Sequence, residues 1–599
     1  MLRAGGEPAL RASGPPKLDS PLVALRICLV TPFSWSKPHD VNEHVAGAAA
    51  ALRDLGHEVS VLAPSNRAAD LRAGRRALQD GARRDVIALG PAVPISRRSK
   101  IGLPVGVRAN LALALARGEY DVVHGFEPGL PSLSYLALRD ARSLAVATFL
   151  SPDRLGYPPR RTQRRRLLGR IDALLATSAL AAEAAEARFP GEYRSIPLGV
   201  DTDLFAPASK RSLVVCEWRT GERALTRASL SVLKELPDWE LILLRTKPLS
   251  GRPSVAPSLH ERVHVRTALS GAARAPLLNE AAIFVPGLEG LPRLELEAQA
   301  AGAAIASPPG VQEQPALAAA ALARLAENDE LRTDAQTESR RLAEAQSFTE
   351  LGRELGELYE RLLQRRRSKS RSADPLANRP WILCDLHTHT SWSHDCLVEP
   401  AELVDHAERE GLGAIAVTDH NAFGGALEAV ELGRDRPLTV IPGEEIKTAG
   451  QGEVIGLFLE EEIPRGLSFE DTIASIREQG GLVYLPHPFD RMHSIPDAAT
   501  LHRHLADIDV FEVYNARLLF EQYNDEAERF ARKYNLTMGA GSDAHVLQGL
   551  GTGGLRMRAF RDPEEFLVSL RTAEVLRRPR SLAYLQALKW TAQVKERVR

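Results

Sequence analysis

Short apolar runs alternate along this chain with longer stretches in which apolar residues recur at helical spacing. Runs of roughly four to eight apolar residues, bounded by glycine, proline or polar residues, are typical of buried strands. In the first third we predict strands at residues 26–32, 57–64, 86–89, 121–124, 144–149 and 173–176. A helix is predicted at 43–55, ending before Gly56. Strands that alternate with helices predict an α/β domain with a largely parallel sheet.

The same alternation resumes in the middle of the chain. Strands are predicted at 211–216 and 240–244, with a helix at 228–236 between them, and the pattern repeats to about residue 346. Residues 348–363 carry leucines at positions 351, 355, 358 and 362, which is the spacing of an amphipathic helix. We therefore predict a second α/β domain that ends in this helix.

In the last third, predicted strands end in polar residues that can bind metal ions or phosphate. The strands are predicted at 381–384, 414–418, 438–441, 454–459, 482–485, 510–514 and 537–540. His387 and His389 follow the first of them, and residues two apart on a strand point to the same face. A βα barrel with its site at the carboxyl ends of the strands requires this arrangement.

Composition narrows the functional classes. The chain has 599 residues, which indicates three or four domains, and a formal net charge of -1, which offers no general attraction for nucleic acid. Four scattered cysteines do not form a disulfide framework, so we expect a reducing cytoplasm. We see no signal peptide and no apolar stretch near the ~18 residues of a membrane span. Ten of the sixteen histidines follow residue 380, which suits a histidine-built metal site in the last domain.

The last third resembles the polymerase and histidinol phosphatase (PHP) family. The motifs that carry the resemblance are Asp-Leu-His387-Thr-His389-Thr, Thr-Asp-His420, Pro-Gly-x-Glu445, Pro-His487-Pro and Gly-Ser-Asp543-Ala-His545. The resemblance implies a distorted (β/α)7 barrel with metal-dependent phosphoesterase activity.

The resemblance also implies two or three divalent metal ions, and it distributes their ligands over three sites. One ion would take His387, His389, Glu445 and Asp543; Glu445 would bridge to a second ion held by His487; a third site would use Asp395, His420 and His545. Many family members have a histidine where this chain has Glu453, so two ions are an alternative to three. Imidazole and carboxylate ligands suit Zn, Mn or Fe and do not choose among them. Arg491, Arg517 and His493 are candidates for binding the substrate phosphate.

Residues 25–364 resemble GT-B retaining glycosyltransferases, especially those that transfer mannose to phosphatidylinositol lipids. The resemblance rests on segments at 30–35, 42–45, 55–64, 121–128 and 196–201, and on a Glu-x7-Glu signature at 289–297. It implies that Glu289 and Glu297 contact a nucleotide-sugar donor and that His124 lies in the donor site. Two exposed glutamates at the start of an alanine-rich helix are the alternative reading.

Three family features that bind the donor diphosphate are absent. Lys37-Pro38-His39-Asp40 replaces the first glycine-rich loop, Glu217 stands where an arginine is usual, and residues 245–248 replace a Gly-Asp-Gly loop. Arg219 or Arg223 could supply the missing positive charge. Sugar transfer and a non-catalytic binding role therefore remain alternatives.

Basic stretches lie between and within the predicted domains. Six arginines at 160–170 accompany Leu167 and Leu168, which suits either a solvated helix face or weak contact with an anionic membrane. Residues 365–380 are read as a flexible tether, and the tail as a helix that packs on the barrel.

We predict an α/β protein in which two Rossmann-like GT-B domains are followed by a distorted (β/α)7 PHP barrel. The segments are a disordered arm (1–24), the GT-B N-terminal domain (25–200), the GT-B C-terminal domain (201–364), a basic linker (365–380), the PHP domain (381–580) and a C-terminal helix (581–599). The predicted function is phosphoester hydrolysis by metal-activated water on a small phosphorylated substrate. Alternatives are a bifunctional enzyme with an active nucleotide-sugar glycosyltransferase, and a GT-B module that only binds a glycosyl or lipid partner.

Overall fold

The structure is a computed structural model that describes residues 24–81, 84–94, 100–101, 107–218, 223–246, 253–287, 292–306, 315–367, 374–492 and 494–598. The chain forms two compact units. The first holds most of the chain to residue 356, and the second holds residues 357–599 together with 139–145 and 160–172. None of the described helices is long and apolar enough to cross a lipid bilayer.

The first sheet is built from the N-terminal part of the chain. The strands of this part are β1 (Arg26–Val30), β2 (Glu58–Ala63), β3 (Val86–Ala88), β4 (Val93–Pro94), β5 (Lys100–Ile101), β6 (Val122–Phe126), β7 (Leu144–Phe149), β8 (Ala173–Ala176) and β9 (Tyr193–Ser195). The helices are α1 (Asp40–Asp54), α2 (Ala68–Asp80), α3 (Arg108–Gly118), α4 (Leu133–Asp140), α5 (Arg161–Leu168) and α6 (Ala179–Arg188). Seven strands form the sheet in the order β3-β2-β1-β6-β7-β8-β9, while β4 and β5 form a separate antiparallel pair.

The second sheet has five parallel strands. They are β10 (Arg211–Glu217), β11 (Glu240–Arg245), β12 (Val263–Thr267), β13 (Ala281–Val285) and β14 (Ala304–Ile305), in the order β12-β11-β10-β13-β14. The helices are α7 (Arg223–Glu235), α8 (Gly271–Glu280), α9 (Pro292–Ala300), α10 (Pro315–Glu327), α11 (Asp329–Glu344) and α12 (Phe348–Leu363). Both sheets have the Rossmann-like order that the alternating pattern predicts.

The third sheet has nine strands. They are β15 (Trp381–Thr388), β16 (Ala414–His420), β17 (Thr439–Lys447), β18 (Glu453–Leu457), β19 (Leu482–Leu485), β20 (Val510–Asn515), β21 (Met538–Gly541), β22 (Gly553–Arg558) and β23 (Glu574–Arg577). The helices are α13 (Pro400–Arg409), α14 (Gly424–Gly433), α15 (Phe469–Glu478), α16 (Ala498–Arg503), α17 (Glu521–Tyr534), α18 (Pro563–Leu570) and α19 (Leu582–Val598).

Strands β15 to β21 are hydrogen-bonded in chain order and form a nearly closed, barrel-like sheet. A bridge between Thr388 and Ala544 links the ends of β15 and β21. Gly541 permits this approach, because a Cβ there would lie 2.3 Å from the Cβ of His387. Strand β18 runs antiparallel to both of its neighbours, and the antiparallel hairpin β22–β23 extends the sheet beyond β15.

Several elements extend beyond their predicted ends. The strand predicted at 381–384 continues to Thr388, and the one predicted at 438–441 continues to Lys447. His387 and Glu445 therefore lie within strands rather than after them. The prediction ended the first strand before Asp385 and the second before Pro442 and Gly443. Inside a barrel-like sheet, however, a strand can continue through such residues, and polar side chains can be buried among themselves. Helices α1 and α7 likewise begin earlier than predicted, at Asp40 and Arg223.

Candidate functional site

The residues predicted as metal ligands lie together at the carboxyl ends of the barrel strands. They come from β15, β16 and β17 and from the loops after β15, β19 and β21. The cluster contains His387, His389, Asp395, His420, Glu445, His487, Asp543 and His545, and the alternative ligand Glu453 lies beside it. Most of these side chains are buried, and those of His387 and His389 are fully inaccessible to solvent.

Glu445 lies at the centre of the cluster, and its two oxygens face different histidines. Its Oε2 atom is 3.2 Å from His387 Nε2, 3.5 Å from His389 Nε2 and 3.1 Å from His420 Nδ1. Its Oε1 atom is 3.0 Å from His487 Nε2. A carboxylate whose two oxygens face two different sets of histidines has the geometry of a ligand that bridges two metal ions.

Asp543 and Asp395 hold the opposite side of the cluster. The Oδ1 atom of Asp543 is 3.4 Å from His389 Nε2 and 3.4 Å from His545 Nδ1. Asp395 Oδ2 is 2.9 Å from His545 Nε2, and Asp395 Oδ1 is 3.8 Å from His420 Nε2. The third predicted set, Asp395, His420 and His545, is therefore also brought together.

Buried charges set the protonation states of the cluster. Burial alone would raise the pKa of Glu445, but His387 and His420 hold it well below its usual range. The pKa of Asp543 is likewise lowered, because Arg517 and His387 outweigh its burial. Burial together with His545 lowers the pKa of His389 well below its usual range, so this imidazole is neutral. Ionised carboxylates and a neutral imidazole are the forms that bind metal ions.

The hydrogen bonding of the cluster also fits a metal centre. The Nε2 atom of His389 and the Oδ1 atom of Asp395 are buried and have no hydrogen-bond partner among the described residues. A buried polar atom without a partner carries a cost of roughly 1–3 kcal/mol, which a coordinated ion would relieve. The donor set of imidazoles and carboxylates is one that transition metals bind.

The three candidates for phosphate binding have different outcomes. Arg517 lies in the cluster, with its NH1 atom 3.0 Å from Asp543 Oδ1 and within hydrogen-bonding distance of the His545 ring. Arg491 instead forms an ion pair with Glu526, at 3.9 Å, and its side chain is 43% exposed. His493 lies outside the described residues. Only Arg517 of the three is placed among the predicted ligands in the described part of the chain.

In the first unit, Glu297 is fully buried and bound by arginines. Arg274 Nε and NH2 donate to its two oxygens at 2.5 and 2.6 Å, and Arg293 Nε donates at 3.1 Å. Glu43 on α1 accepts a further hydrogen bond from Arg274, at 2.9 Å. The reading of Glu297 as an exposed helix residue is therefore wrong, because the arginines neutralise its charge in the interior.

The other predicted donor residues have separate outcomes. His124 is fully buried, bonded to Thr148 Oγ1 at 2.6 Å and stacked on Phe126. Arg223 is exposed at the start of α7, and Arg219 and Glu289 lie outside the described residues. Glu217, in the position where the family has an arginine, is buried and accepts a hydrogen bond from Thr246 Oγ1 at 2.7 Å.

Family comparisons separate the two halves of the chain. The PHP domain profile matches residues 385–534, which hold six of the eight clustered ligands, and a PHP-associated profile matches residues 521–575. The chain contains a PHP domain. The profile of Glycosyltransferase Family 4 matches residues 41–204. These matches confirm the predicted combination of a glycosyltransferase-like region with a PHP-type enzyme domain.

Individual relatives match parts of the chain. The chain is 40% identical over 144 residues to the uncharacterised protein MJ1587 of Methanocaldococcus jannaschii, which covers 22% of this chain and 81% of that protein. It is 29% identical over 305 residues to a phosphatidyl-myo-inositol mannosyltransferase of Mycolicibacterium smegmatis, covering 47% of this chain and 75% of the relative.

Solved structures resemble the chain more distantly. A glycosyltransferase of Rickettsia africae is 14% identical with a TM-score of 0.39, and covers 56% of this chain and 98% of its own. PsfC of Pseudomonas syringae is 19% identical with a TM-score of 0.30, and covers 36% of this chain and 99% of its own. Both scores are low, so the fold assignment depends on the strand topology described above.

The PHP domain contains a buried carboxylate that the sequence analysis missed. Glu512 on β20 is 3.1 Å from His387 Nδ1 and accepts hydrogen bonds from the Tyr484 hydroxyl and the His487 backbone N–H. It also accepts from the Asn515 side chain, at 3.1 Å. One signal in the sequence could have identified Glu512: it is a glutamate inside an otherwise largely apolar strand, and that strand is predicted to be buried in the barrel.

Lys589, in the C-terminal helix, is a second residue that sequence reasoning missed. It lies on α19 and its Nζ atom is 2.8 Å from Asp395 Oδ2. The tail was predicted to pack on the barrel as a helix, but no local pattern in the sequence connects Lys589 with a residue almost two hundred positions earlier.

Proposed function

We propose that the PHP domain is a metal-dependent phosphoesterase that hydrolyses a small phosphorylated substrate. The observation that carries this proposal is the position of Glu445, whose two oxygens face His487 on one side and three other histidines on the other. The neutral, unpartnered Nε2 atom of His389 supports it independently.

The proposed ligands follow the grouping of the cluster. His387, His389, Glu445 and Asp543 would hold one divalent ion, with Glu445 and His487 at a second. Asp395, His420 and His545 would complete a third site, and Glu453, 3.7 Å from His487, is available as an additional carboxylate. Zn, Mn and Fe all suit these ligands. When bound, such ions lower the pKa of water to near neutrality and offset charge on phosphoryl oxygens.

The chain's own residues would bind and orient the substrate. Arg517 is a cationic side chain at the edge of the cluster, and its guanidinium can donate to two phosphate oxygens at once. Its present partners, Asp543 and His545, hold it in place before the substrate arrives. The buried walls around His387 and His389 exclude bulk water, which strengthens these electrostatic contacts.

We also infer that residues 381–580 form a distorted (β/α)7 barrel, with the tail helix beyond it. The seven strands from β15 to β21 and the bridge between Thr388 and Ala544 support this reading. For the rest of the chain we keep the predicted segments and their boundaries, which are the arm, the two GT-B domains and the linker.

The experiment is to measure metal content and phosphatase activity of the full chain together. We expect the purified protein to contain bound divalent metal and to hydrolyse p-nitrophenyl phosphate after loading with Zn, Mn or Fe. The double variant His387→Ala, His389→Ala should lose both bound metal and activity, because it removes two imidazoles from the centre of the cluster.

The matched control is His406→Ala, which removes a histidine of the same domain that lies on α13 and pairs with Glu410. We expect this variant to keep both metal and activity. Retention of full activity by the double variant would refute the proposal.

For the glycosyltransferase-like region, we propose a non-catalytic binding role rather than sugar transfer. The supporting observations are that Glu297 is already neutralised by Arg274 and Arg293, and that a buried glutamate, Glu217, stands at the sequence position where the resembled family has an arginine. A bifunctional enzyme remains the alternative. In the proposed binding role, the glycosyltransferase-like region would bind a glycosyl or lipid group, as the mannosyltransferase relatives suggest.

Calorimetry with uridine and guanosine diphosphate-sugars distinguishes the two readings. We expect no heat of binding to the full chain at millimolar ligand. Saturable binding at micromolar ligand, followed by sugar release that depends on Glu297, would support the bifunctional alternative and overturn our proposal.

We propose a cytoplasmic location, with at most weak membrane contact through α5. Four arginines of this region, at positions 160, 161, 165 and 166, are exposed, whereas Leu167 is buried and unavailable to lipid. The contact would therefore be electrostatic, and about 0.5 M salt should abolish binding to anionic vesicles.

A further inference from the structure

A cavity of about 410 Å³ lies beside the metal-ligand cluster, between the barrel and the tail helix. On the barrel side it is lined by Arg517 and by residues of the loop after β21, including Asp543 and His545. On the other side it is lined by α19, through Leu585 and Lys589 among others. We call this space the α19 cavity.

The α19 cavity has charged groups where it meets the cluster. Lys589 Nζ is 2.8 Å from Asp395 Oδ2, and Arg517 NH1 is 3.0 Å from Asp543 Oδ1. Two cationic side chains on separate elements therefore contact two carboxylates of the same cluster. This is the arrangement expected where a phosphate group enters beside bound metal, since each cation can donate to a phosphoryl oxygen.

The rest of the lining is largely apolar. Leu519, Val546, Ala583 and Leu585 contribute to it, with Gln586 as a neutral polar group. Pockets for small molecules typically have volumes of about 300–1,000 Å³, mostly apolar walls and a few polar groups that orient the ligand. The α19 cavity falls at the small end of this range, which favours a compact ligand over an extended polymer.

We propose that the α19 cavity binds the alcohol portion of a phosphomonoester, with Lys589 contacting its phosphate, and that α19 selects compact alcohols with apolar surface. The inference rests on the proposed phosphoesterase function and names its substrate class. Lys589 acts as a binding residue that the family motifs do not include, and Leu585 acts as a wall that limits the size of the alcohol portion.

Two phosphonates test the proposal by calorimetry on the metal-loaded full chain. Phenylphosphonate and methylphosphonate share the anionic group and differ in the apolar group, and neither can be hydrolysed as an ester. Leu585→Trp should weaken phenylphosphonate binding about tenfold by filling the cavity, and should leave methylphosphonate binding unchanged. The matched control is Ala587→Trp, which places the same side chain at an exposed position of α19 that does not line the cavity.

Lys589→Ala should weaken the binding of both phosphonates about tenfold, and Lys589→Arg should restore most of it, because the positive charge returns. Metal content, measured by mass spectrometry, should be the same in all four variants. A different outcome would overturn the proposal: Lys589→Ala loses metal, and Lys589→Arg regains the metal but does not regain phosphonate binding. In that case Lys589 would only support Asp395.

The outcomes also distinguish this inference from the function on which it rests. If the unaltered protein binds no metal and hydrolyses no phosphomonoester, the phosphoesterase proposal fails. If the unaltered protein is active and binds both phosphonates, but Leu585→Trp and Lys589→Ala bind them as tightly, the α19 cavity is not the substrate pocket.

Discussion

Replacing Glu512 with glutamine should strip metal from the PHP domain although the glutamate is not a proposed ligand. Its Oε2 atom accepts from two obligate donors, the His487 backbone N–H at 2.6 Å and the Asn515 side-chain amide at 3.1 Å. Its Oε1 atom faces the Tyr484 hydroxyl at 2.8 Å and His387 Nδ1 at 3.1 Å. In Glu512→Gln, the amide oxygen must therefore take the Oε2 position, which leaves the NH2 group toward His387.

That exchange reverses the hydrogen bond to His387. With glutamate, Nδ1–H donates to the carboxylate, so Nε2, which is 3.2 Å from Glu445, can present its lone pair to a bound metal ion. With glutamine, the amide donates to Nδ1, so the proton moves to Nε2 and blocks the ligand atom. Loss of the group that orients a metal-binding histidine typically weakens metal affinity tenfold to a hundredfold, which is about 1.4–2.7 kcal/mol.

The assay is competition with a chelator of known affinity, on the purified full chain. The control is Glu574→Gln, which alters a glutamate that is 60% exposed on the outer hairpin and should leave affinity unchanged. A double-mutant cycle with His387→Ala tests the route, because the effect of Glu512→Gln should vanish once His387 is absent.

Unchanged metal affinity in Glu512→Gln would refute this reasoning. An effect of the same size in the His387→Ala background would refute the tautomer argument in particular, since it would have to act through another ligand.

Three further predictions concern the stability of the first unit, the pH dependence of metal affinity and the stability of the second unit without metal. Arg274→Ala should destabilise the first unit by about 3–5 kcal/mol in denaturant unfolding, because it leaves the buried carboxylate of Glu297 without its bidentate partner; Arg341→Ala, which removes an exposed ion pair, should not move the midpoint. Metal affinity should rise with pH up to about 9, because protonated imidazoles cannot bind metal. Burial alone lowers the pKa of His420 and His487, but Glu445 raises the pKa of each to about 9. Chelator competition at several pH values tests this, and an affinity that does not change with pH would contradict it. Removing metal with a chelator should lower the melting temperature of the second unit, by the loss of about 2.7 kcal/mol when free metal had been at a hundred times its dissociation constant; equal melting curves with and without chelator would count against a metal centre.

Strand positions were predictable from the sequence because apolar runs mark them directly. The strands at Leu144–Phe149, Ala173–Ala176 and Leu482–Leu485 and the helix at Phe348–Leu363 coincide with their predicted bounds. The barrel strands that carry ligands were predicted too short, as for β17, where the apolar run ends before Pro442 and Gly443 and two glutamates follow. A residue's polarity alone does not tell whether it faces solvent or a buried polar cluster.

Seven of the eight positions in the candidate metal cluster were predictable because they lie in short motifs near strand ends, and Asp395 was predicted from the family resemblance alone. Glu512 and Lys589 were not, for two different reasons. Glu512 is a single charged residue in an otherwise largely apolar strand, which no motif marks. Its partner His387 lies on a strand that is far away in the sequence. Lys589 lies on an amphipathic tail helix whose contact with Asp395 depends on how the helix packs, which helical periodicity leaves open.

The dispersal of the cluster over residues 387 to 545 has a consequence for how the PHP domain folds. An unfolded chain offers a metal ion little more than the local pair His387 and His389, because the other ligands lie on strands that meet only when Thr388 pairs with Ala544. Metal should therefore bind after the barrel has closed, so it would slow unfolding while leaving the folding rate unchanged. In a cell short of metal the domain would still fold, but each folded molecule would open more often to proteases, and its abundance would follow the metal supply.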